Sequence, residues 1–248
     1  MLLALASLVA VHAGLEPLTL NVDGVTREAL VYRPSGAGPA PLVLAFHGHG
    51  GGSRQASRSF QIEKYWPEAM VIYPQGLPTK SFYDKAGGKN GWQGMPDADG
   101  ARDVHFTAAL LNWAKSNAAI QSDRVYAMGH SNGAIFLYVL WQTMPDAFRA
   151  FAPIKGSGNV SMRNIKTPKP LFIAMGKTDP LVKPAWMEAT IRFVRKLDGL
   201  QDVAGVQDGD VTTYSKPGCV DLVTLVKDEG HVYGQETSDL LVRFFKSH

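Results

Sequence analysis

The sequence predicts an α/β protein with a mostly parallel central sheet that is flanked by helices. Three observations support this class: short apolar runs of strand length, longer runs of helical pattern between them, and glycine- or proline-rich turns at their boundaries. When strands and helices alternate along a chain, crossover connections make the strands parallel. We therefore expect one sheet with helices on both of its faces.

The predicted strands are apolar runs that end at glycine, proline or polar residues. Segments 18–22 and 27–32 are expected to form an opening antiparallel hairpin, because Asp23-Gly24 between them is a typical hairpin turn. The other predicted strands are 41–46, 69–73, 124–128, 150–154, 171–175 and 220–227. Most are apolar throughout, as expected of strands that are buried on both faces.

The predicted helices are 102–116, 132–143, 184–197 and 238–245. Between them, segment 81–100 is rich in Gly, Asp and Asn and is expected to be a loop. Loops over the carboxyl ends of parallel strands are where such folds carry their chemistry.

Composition excludes several classes of protein. Of 248 residues, 45% are hydrophobic and 19% are charged, which is typical of a globular chain. The net charge is only +3 and the Lys and Arg residues are scattered, so neither a nucleic acid nor a membrane surface is an expected partner. Because Cys219 is the only cysteine, there is no intrachain disulfide and no cysteine metal cluster.

Residues 1–13 form an apolar run that ends in Val-His-Ala, a plausible cleavage site. The run is too short to span a membrane and predicts a signal peptide. The alternative is an N-terminal strand or helix. Residues 14–248 are expected to form a single catalytic domain.

The strongest local motif is Gly-His-Ser-Asn-Gly at 129–133, which fits the pattern G-x-S-x-G. It directly follows the predicted strand 124–128 and leads into the predicted helix 132–143. In this context the serine is held on a sharp turn, and the glycines leave room for the close approach of neighbouring segments. Ser131 is therefore the predicted nucleophile.

A serine hydroxyl needs a base to take its proton and an acid to orient that base. His231 is the predicted base, because it lies just after the last long strand. Asp179 is the predicted acid, because it follows a buried strand and lies between Ser131 and His231 in chain order. Three aspartates in a segment expected to be solvated loop are alternatives: Asp202, Asp208 and Asp210.

An oxyanion hole needs two main-chain amides that point at the reacting carbonyl. One is predicted to be the amide of Asn132, at the start of a helix. The other is predicted in the glycine-rich run 47–52, as the amide of His49 or Gly50. His47 and His49 also have the spacing of metal ligands, but no third ligand lies nearby, so no metal is predicted.

Two residues near these motifs are predicted to contact substrate. Trp92 lies between glycines, where an exposed indole would stack on a sugar or an aromatic acyl group. Packing of Trp92 into the core is an equally good interpretation. His130, on the sharp turn itself, is a poor base for its neighbour and is assigned to the substrate site. Asp103 is expected to cap a helix or bind a loop.

Together these segments resemble the secreted esterases grouped as polyhydroxybutyrate depolymerase-like proteins, with the feruloyl and acetylxylan esterases of carbohydrate esterase family 1. The resemblance runs from about residue 18 to the C-terminus. It rests on segments 47–52, 73–76, 91–92, 103–106, 125–133, 176–180 and 230–231. It implies an α/β-hydrolase fold, a metal-free Ser-His-Asp mechanism without a cofactor, and esters of polymers, either hydroxyalkanoates or acylated plant polysaccharides, as substrates.

The expected function is that of a secreted or periplasmic serine carboxylic-ester hydrolase, a monomer or small homo-oligomer. Short connections around the site predict that no large lid covers it. A cutinase- or lipase-like carboxylesterase is the main alternative. A serine peptidase on the same fold and a non-catalytic binding protein are two others.

Overall fold

The computed structural model describes residues 14–36 and 38–248. The predicted signal peptide at residues 1–13 lies outside the described residues and stays a prediction.

Twelve strands are present in this described part of the chain. They are β1 (Leu15–Val22), β2 (Val25–Tyr32), β3 (Ala40–Phe46), β4 (Met70–Pro74), β5 (Leu77–Pro78), β6 (Asn90–Gly91), β7 (Ile120–His130), β8 (Ala150–Ile154), β9 (Leu171–Gly176), β10 (Val206–Asp208), β11 (Val211–Tyr214) and β12 (Leu222–Lys227). Ten of them form one sheet in the order β1-β2-β4-β3-β7-β8-β9-β12-β11-β10, and β5 pairs with β6 separately.

The centre of the large sheet is parallel and its two edges are antiparallel. The six strands from β4 to β12 pair in parallel. The hairpin of β1 and β2 continues the sheet antiparallel on one side, and β11 and β10 do so on the other. The carboxyl ends of the parallel strands therefore meet at a single edge, where their loops lie side by side.

Six α-helices accompany this sheet in the described residues. They are α1 (Ser53–Phe60), α2 (Ile62–Tyr65), α3 (Arg102–Asn117), α4 (Asn132–Thr143), α5 (Pro184–Leu197) and α6 (Gln235–Lys246). Apolar side chains of α3, α4 and α5 pack on one face of the sheet, and those of α1, α2 and α6 pack on the other. Both faces are thus covered, which explains why the central strands are apolar along their whole length.

Strand β3 shows how the alternation of side chains divides the core. Leu42, Leu44 and Phe46 belong to one hydrophobic cluster, whereas Val43 and Ala45 belong to the other. Because successive side chains of a strand point to opposite faces, a continuous apolar run supplies both cores. The expected arrangement of a mostly parallel sheet between helices is confirmed.

Several elements differ from the sequence-based prediction, and one is strand β6 (Asn90–Gly91), which lies within the segment 81–100 that was expected to be a loop. Helices α1 and α2 were not predicted: only one of the four buried side chains of Ser53–Phe60, that of Phe60, is large and apolar, and α2 has only four residues. The segment that contains Asp202, Asp208 and Asp210 was expected to be a solvated loop, but part of it forms the hairpin β10–β11. Strand β10 (Val206–Asp208) of this hairpin is exposed at the sheet edge. An edge strand with no buried face has no apolar alternation to reveal it.

Candidate active site

Ser131 lies on a sharp turn between the end of β7 and the start of α4. Its backbone has φ 56° and ψ −117°, a conformation that side-chain-bearing residues rarely adopt. Such strain costs about 1–3 kcal/mol and persists only where the surrounding structure holds it. The turn is held by the hydrogen bond from the Ser131 amide to the Ile154 carbonyl, at 2.9 Å.

The two glycines of the motif are required by close backbone contacts. A Cβ at Gly129 would lie 2.5 Å from the Gly133 carbonyl carbon, and a Cβ at Gly133 would lie 2.4 Å from the Phe46 carbonyl oxygen. The turn therefore fits between β3 and α4 only without side chains at these positions.

The structure brings Ser131, His231 and Asp179 into one hydrogen-bonded chain. The Oγ of Ser131 is 2.8 Å from Nε2 of His231, and Nδ1 of His231 is 2.7 Å from Oδ2 of Asp179. With its proton on Nδ1, His231 donates to Asp179 and leaves Nε2 to accept from the serine hydroxyl. The three residues come from loops that follow β7, β9 and β12, so the shared sheet edge assembles them.

Asp179 is held as a carboxylate by its neighbours. Burial raises the pKa of Asp179, but hydrogen bonds from His231 and from the amides of Val182 and Leu181 outweigh burial and lower it. Those amides donate to Oδ1 at 2.9 and 2.8 Å. One oxygen is therefore fixed by the backbone and the other is free to orient His231.

Of the predicted oxyanion donors, Gly50 is the one that the structure excludes. Its amide donates to the Asn90 carbonyl at 2.7 Å, so that proton is already used. The amides of His49 and Asn132 have no acceptor among the described residues. The His49 ring lies 3.2 Å from Asp84 Oδ2, which anchors this part of the loop.

His47 has a role that the sequence did not reveal. Its ring is buried, Nδ1 lies 2.7 Å from the Gly48 carbonyl, and Nε2 accepts from the Gly76 amide at 2.9 Å. Burial lowers the pKa of His47 to about 4, so it stays neutral near pH 7. Because both ring nitrogens are engaged, His47 fixes the glycine-rich loop and is not placed to bind a metal.

The prediction that an exposed Trp92 indole contacts the substrate is wrong. Its side chain is 1% exposed and packs edge-on against Phe46 and nearly parallel to Phe136. Its indole N–H donates to the His47 carbonyl at 2.8 Å. The structure shows the alternative interpretation, in which Trp92 packs into the core. Its indole ring contacts the glycine-rich loop through the hydrogen bond to His47.

His130 packs directly against the predicted base. Its ring centroid is 5.0 Å from that of His231, and its buried Nε2 has no hydrogen-bond partner within the described part of the chain. Burial, followed by the charges of His231 and Lys155, lowers the pKa of His130 to about 3. His130 therefore stays neutral, and contact with a substrate remains a prediction.

Asp103 binds a loop, as expected. It is fully buried, accepts from Arg27 at 2.8 Å and accepts from the amide of Gln93 at 2.9 Å. The Gln93 side chain accepts in return from the Asp103 amide at 2.9 Å. This exchange ties the segment after Trp92 to the start of α3.

An open groove of about 560 Å³ is lined by residues of the segment 157–163 and of helix α5, and Ser131, His231 and Asp179 are not among its lining residues. A Cβ at Gly156 would lie 2.5 Å from the Ser131 carbonyl oxygen, and the next two residues, Ser157 and Gly158, line the groove. Its apolar wall includes Trp186 and Phe193 on α5. Trp186 is 45% exposed, so an aromatic face is available in the wall of this groove.

No group of three His, Cys, Asp or Glu in residues 14–36 and 38–248 is arranged to hold a metal ion. None of the helices that the structure describes is long and apolar enough to cross a membrane.

No family model matches the chain. Among curated proteins, it is 26% identical over 180 residues to a bifunctional acetylxylan esterase/xylanase of Neocallimastix patriciarum, covering 70% of this chain and 24% of that protein. It is 26% identical over 147 residues to an acetylxylan esterase of Coprinopsis cinerea, covering 56% of this chain and 37% of that protein. The chain thus spans less than half the length of these relatives.

Solved structures agree on the fold. An acetyl xylan esterase from Aspergillus awamori matches with a TM-score of 0.70 and 17% identity, over 94% of this chain and 100% of that one. A ferulic acid esterase matches with a TM-score of 0.66 and 14% identity, over 94% and 97%. The chain has the α/β-hydrolase fold, and the predicted resemblance to acetylxylan esterases is confirmed by its sequence similarity to two curated members of that group.

Proposed function

We propose that this protein is a serine carboxylic-ester hydrolase in which Ser131 is the nucleophile, His231 the general base and Asp179 the acid that orients it. The observation that carries the proposal is the hydrogen-bonded chain Asp179–His231–Ser131, which ends on a strained turn at the carboxyl edge of the sheet. The similarity to named esterases supports the type of bond that is cleaved.

The first half of the reaction transfers the acyl group to the enzyme. Ser131 Oγ attacks the ester carbonyl carbon while His231 Nε2 takes the hydroxyl proton. The amides of Asn132 and His49 donate to the carbonyl oxygen as it becomes negative. His231 then passes its proton to the alcohol oxygen, the C–O bond breaks, and the alcohol leaves.

The second half returns the enzyme to its starting state. His231 takes a proton from water, and the resulting hydroxide adds to the acyl carbon. The bond to Ser131 Oγ breaks, the serine recovers its proton from His231, and the carboxylic acid leaves. Throughout, the carboxylate of Asp179 stabilises the charged form of His231.

The proposed substrates are acetyl, feruloyl or hydroxyalkanoate esters of polymers or oligomers. The named relatives act on acetylxylan or ferulic acid esters, and the open groove with Trp186 in its wall is suited to a bulky ester. A cutinase- or lipase-like carboxylesterase is the alternative. A serine peptidase is a second alternative, since the solved structure of a putative dipeptidyl aminopeptidase IV from Bacteroides ovatus has a similar fold.

The proposal also covers the domain organisation of the chain and the location of the enzyme. We assign residues 14–248 to one catalytic domain and residues 1–13 to a leader that is removed on secretion or on export to the periplasm. The enzyme is proposed to work without a cofactor, as a monomer or small homo-oligomer, with no nucleic acid or membrane as a partner.

The deciding experiment compares the wild type with Ser131→Ala on nitrophenyl acetate, nitrophenyl butyrate and methyl ferulate. We expect the wild type to hydrolyse at least one ester and Ser131→Ala to lose about 10⁴-fold or more in kcat. Ser57→Ala is a matched control, because Ser57 is a buried serine that bonds the Arg54 carbonyl on α1.

The two possible failures of this experiment have different meanings. Folded wild type that cleaves none of the esters would remove the esterase proposal, and a peptide substrate panel would follow. Activity that survives in Ser131→Ala would remove the assignment of the nucleophile. The preferred ester distinguishes the acetyl, feruloyl and general carboxylesterase alternatives.

A further inference from the structure

The side-chain ammonium of Lys155 is buried against the loop that carries His231. Lys155 directly follows β8, and its side chain is only 3% exposed. Its Nζ donates to Glu229 Oε1 and to the Gly230 carbonyl, both at 2.7 Å. Burying a charged amine costs several kcal/mol unless it is paired and hydrogen-bonded, so both acceptors are needed to keep it there.

Both acceptors belong to the two residues that immediately precede His231. On its other side, this segment lies against the end of β9. A Cβ at Gly176 would be 2.2 Å from the Glu229 carbonyl oxygen, and the Thr178 amide donates to that oxygen at 3.3 Å. The segment before His231 is thus held between the loop of Asp179 and the side chain of Lys155.

The backbone of Lys155 is also tied to the serine turn. The preceding carbonyl, of Ile154, accepts from the Ser131 amide at 2.9 Å, and the amide of Lys155 donates to the Ala174 carbonyl at 2.8 Å. Lys155 itself has φ 50°, a left-handed conformation that is unfavourable for a residue with a side chain. A strained backbone and a buried charge therefore coincide at one residue between the nucleophile and the base.

We propose that Lys155 is a positioning residue that sets the location of His231 relative to Ser131. The inference rests on the proposed function. The ammonium fixes Glu229 and Gly230, and through them the main chain of His231, so that Nε2 stays within 2.8 Å of Ser131 Oγ. Glu229 also neutralises the ammonium, which would otherwise oppose the positive charge that His231 acquires during the reaction.

The test compares Lys155→Met with wild type on the ester that wild type prefers. Methionine keeps a chain of similar length but removes the donors and the charge. We expect kcat to fall about 10- to 100-fold, since a displacement near 1 Å at a reacting group has an effect of this size. We expect KM to change less than about threefold, because Lys155 is not assigned to the substrate groove. Lys155→Arg, which restores charge and donors, should recover part of kcat.

Lys169→Met is the matched control. The Nζ of Lys169 also donates to a main-chain carbonyl, that of Phe148 at 2.9 Å, but at the opposite end of the strands. Both methionine variants are expected to lower the melting temperature, and only Lys155→Met is expected to lower kcat of the folded protein. A loss of kcat in Lys155→Met alone, beside a lower melting temperature in both variants, distinguishes a positioning role from general stabilisation.

Each outcome of this comparison overturns the inference, supports it, or removes the proposed function on which it rests. Folded Lys155→Met with kcat within threefold of wild type overturns it, and so does a loss in KM alone. If Lys155→Met does not fold, Glu229→Gln decides: a kcat lowered about 3- to 10-fold without a change in KM supports the inference, and an unchanged kcat overturns it. Wild type without any esterase activity would instead remove the proposed function.

Discussion

The side-chain amide of Asn132 holds the backbone of Trp92 through two hydrogen bonds. Its Oδ1 accepts from the Trp92 amide at 2.7 Å, and its Nδ2 donates to the Trp92 carbonyl at 3.0 Å. The residue after the nucleophile therefore has two separate uses. Its side chain anchors the loop that follows β6, while its main-chain amide is the proposed oxyanion donor.

Asn132→Ala should destabilise the protein through the loss of this anchor. Both main-chain groups of Trp92 would lose their partner, so we expect the free energy of unfolding to fall by about 1–3 kcal/mol. Urea denaturation measures this change. Asn117→Ala is the control, because Asn117 is exposed and its side-chain amide donates one hydrogen bond, to the Trp113 carbonyl at 2.9 Å. Equal losses for both variants would contradict a specific anchor at Asn132.

Gly133→Ala should disrupt the serine turn. The added Cβ would lie 2.4 Å from the Phe46 carbonyl oxygen and 2.7 Å from that of His47, and backbone atoms cannot move aside like a flexible side chain. We expect a loss of stability of about 1–3 kcal/mol or more, together with loss of esterase activity. Thermal denaturation and an ester assay measure both effects.

Gly88→Ala is the control for that substitution. A Cβ at Gly88 would meet no atom within 4 Å, so the variant should resemble wild type in melting temperature and activity. A Gly133→Ala variant that melts and hydrolyses like Gly88→Ala would show that the turn tolerates a side chain after all.

Asp179→Asn should abolish most activity while it leaves the fold in place. An amide cannot stabilise a positively charged His231, and its NH₂ group would favour the wrong tautomer of the ring. We expect kcat to fall about 10³- to 10⁴-fold. The exposed Asp123 provides the control Asp123→Asn, which should be fully active. A comparable activity of the two variants would point to another residue as the acid.

Asp198 should make stability depend on pH. Burial raises the pKa of its carboxyl group from 3.8 to about 7, and it outweighs the nearby main-chain amide of Lys169, which lowers that pKa. The folded state therefore holds a proton that the unfolded chain releases at lower pH. The free energy of unfolding should fall as pH rises from 3.8 to about 7, by up to about 1.4 kcal/mol per pH unit, and change little above it.

Asp198→Asn tests this dependence, because asparagine is neutral at every pH. Urea denaturation of wild type and variant at pH 5, 6, 7 and 8 should show the variant gaining relative stability up to about pH 7. Asp202→Asn, at an exposed aspartate four residues on, should run parallel to wild type. A constant difference between wild type and Asp198→Asn over the whole range would argue against a proton held by Asp198.

Much of the fold could be predicted from local patterns in the chain. Helices 132–143 and 184–197 have the predicted bounds, because a motif or a proline marks their start and a long apolar or amphipathic run defines their length. The buried parallel strands were equally clear. Helix α1 and the hairpin β10–β11 were missed, since the buried face of α1 consists mostly of small or polar side chains and strand β10 is exposed along its whole length.

The site was partly predictable for a different reason. In a parallel sheet, the loops after successive strands share one edge, so Ser131, Asp179 and His231 were expected to converge from their chain order alone. The sequence could not show which amide of the run 47–52 is free to bind an oxyanion. The answer depends on the hydrogen bond between Gly50 and Asn90, two residues 40 positions apart. The roles of His47 and Lys155 depend on long-range contacts of the same kind.

By itself, the sequence determined the alternation of strands and helices, the strained serine turn and the order of the three residues proposed for catalysis, because each is encoded in contiguous residues. Only the tertiary structure decided that Trp92 lies in the core, that the Gly50 amide is used, and that Lys155 supports the His231 loop. Burial and hydrogen-bond partners arise from segments far apart in the chain, and they are defined only when the sheet brings those segments together.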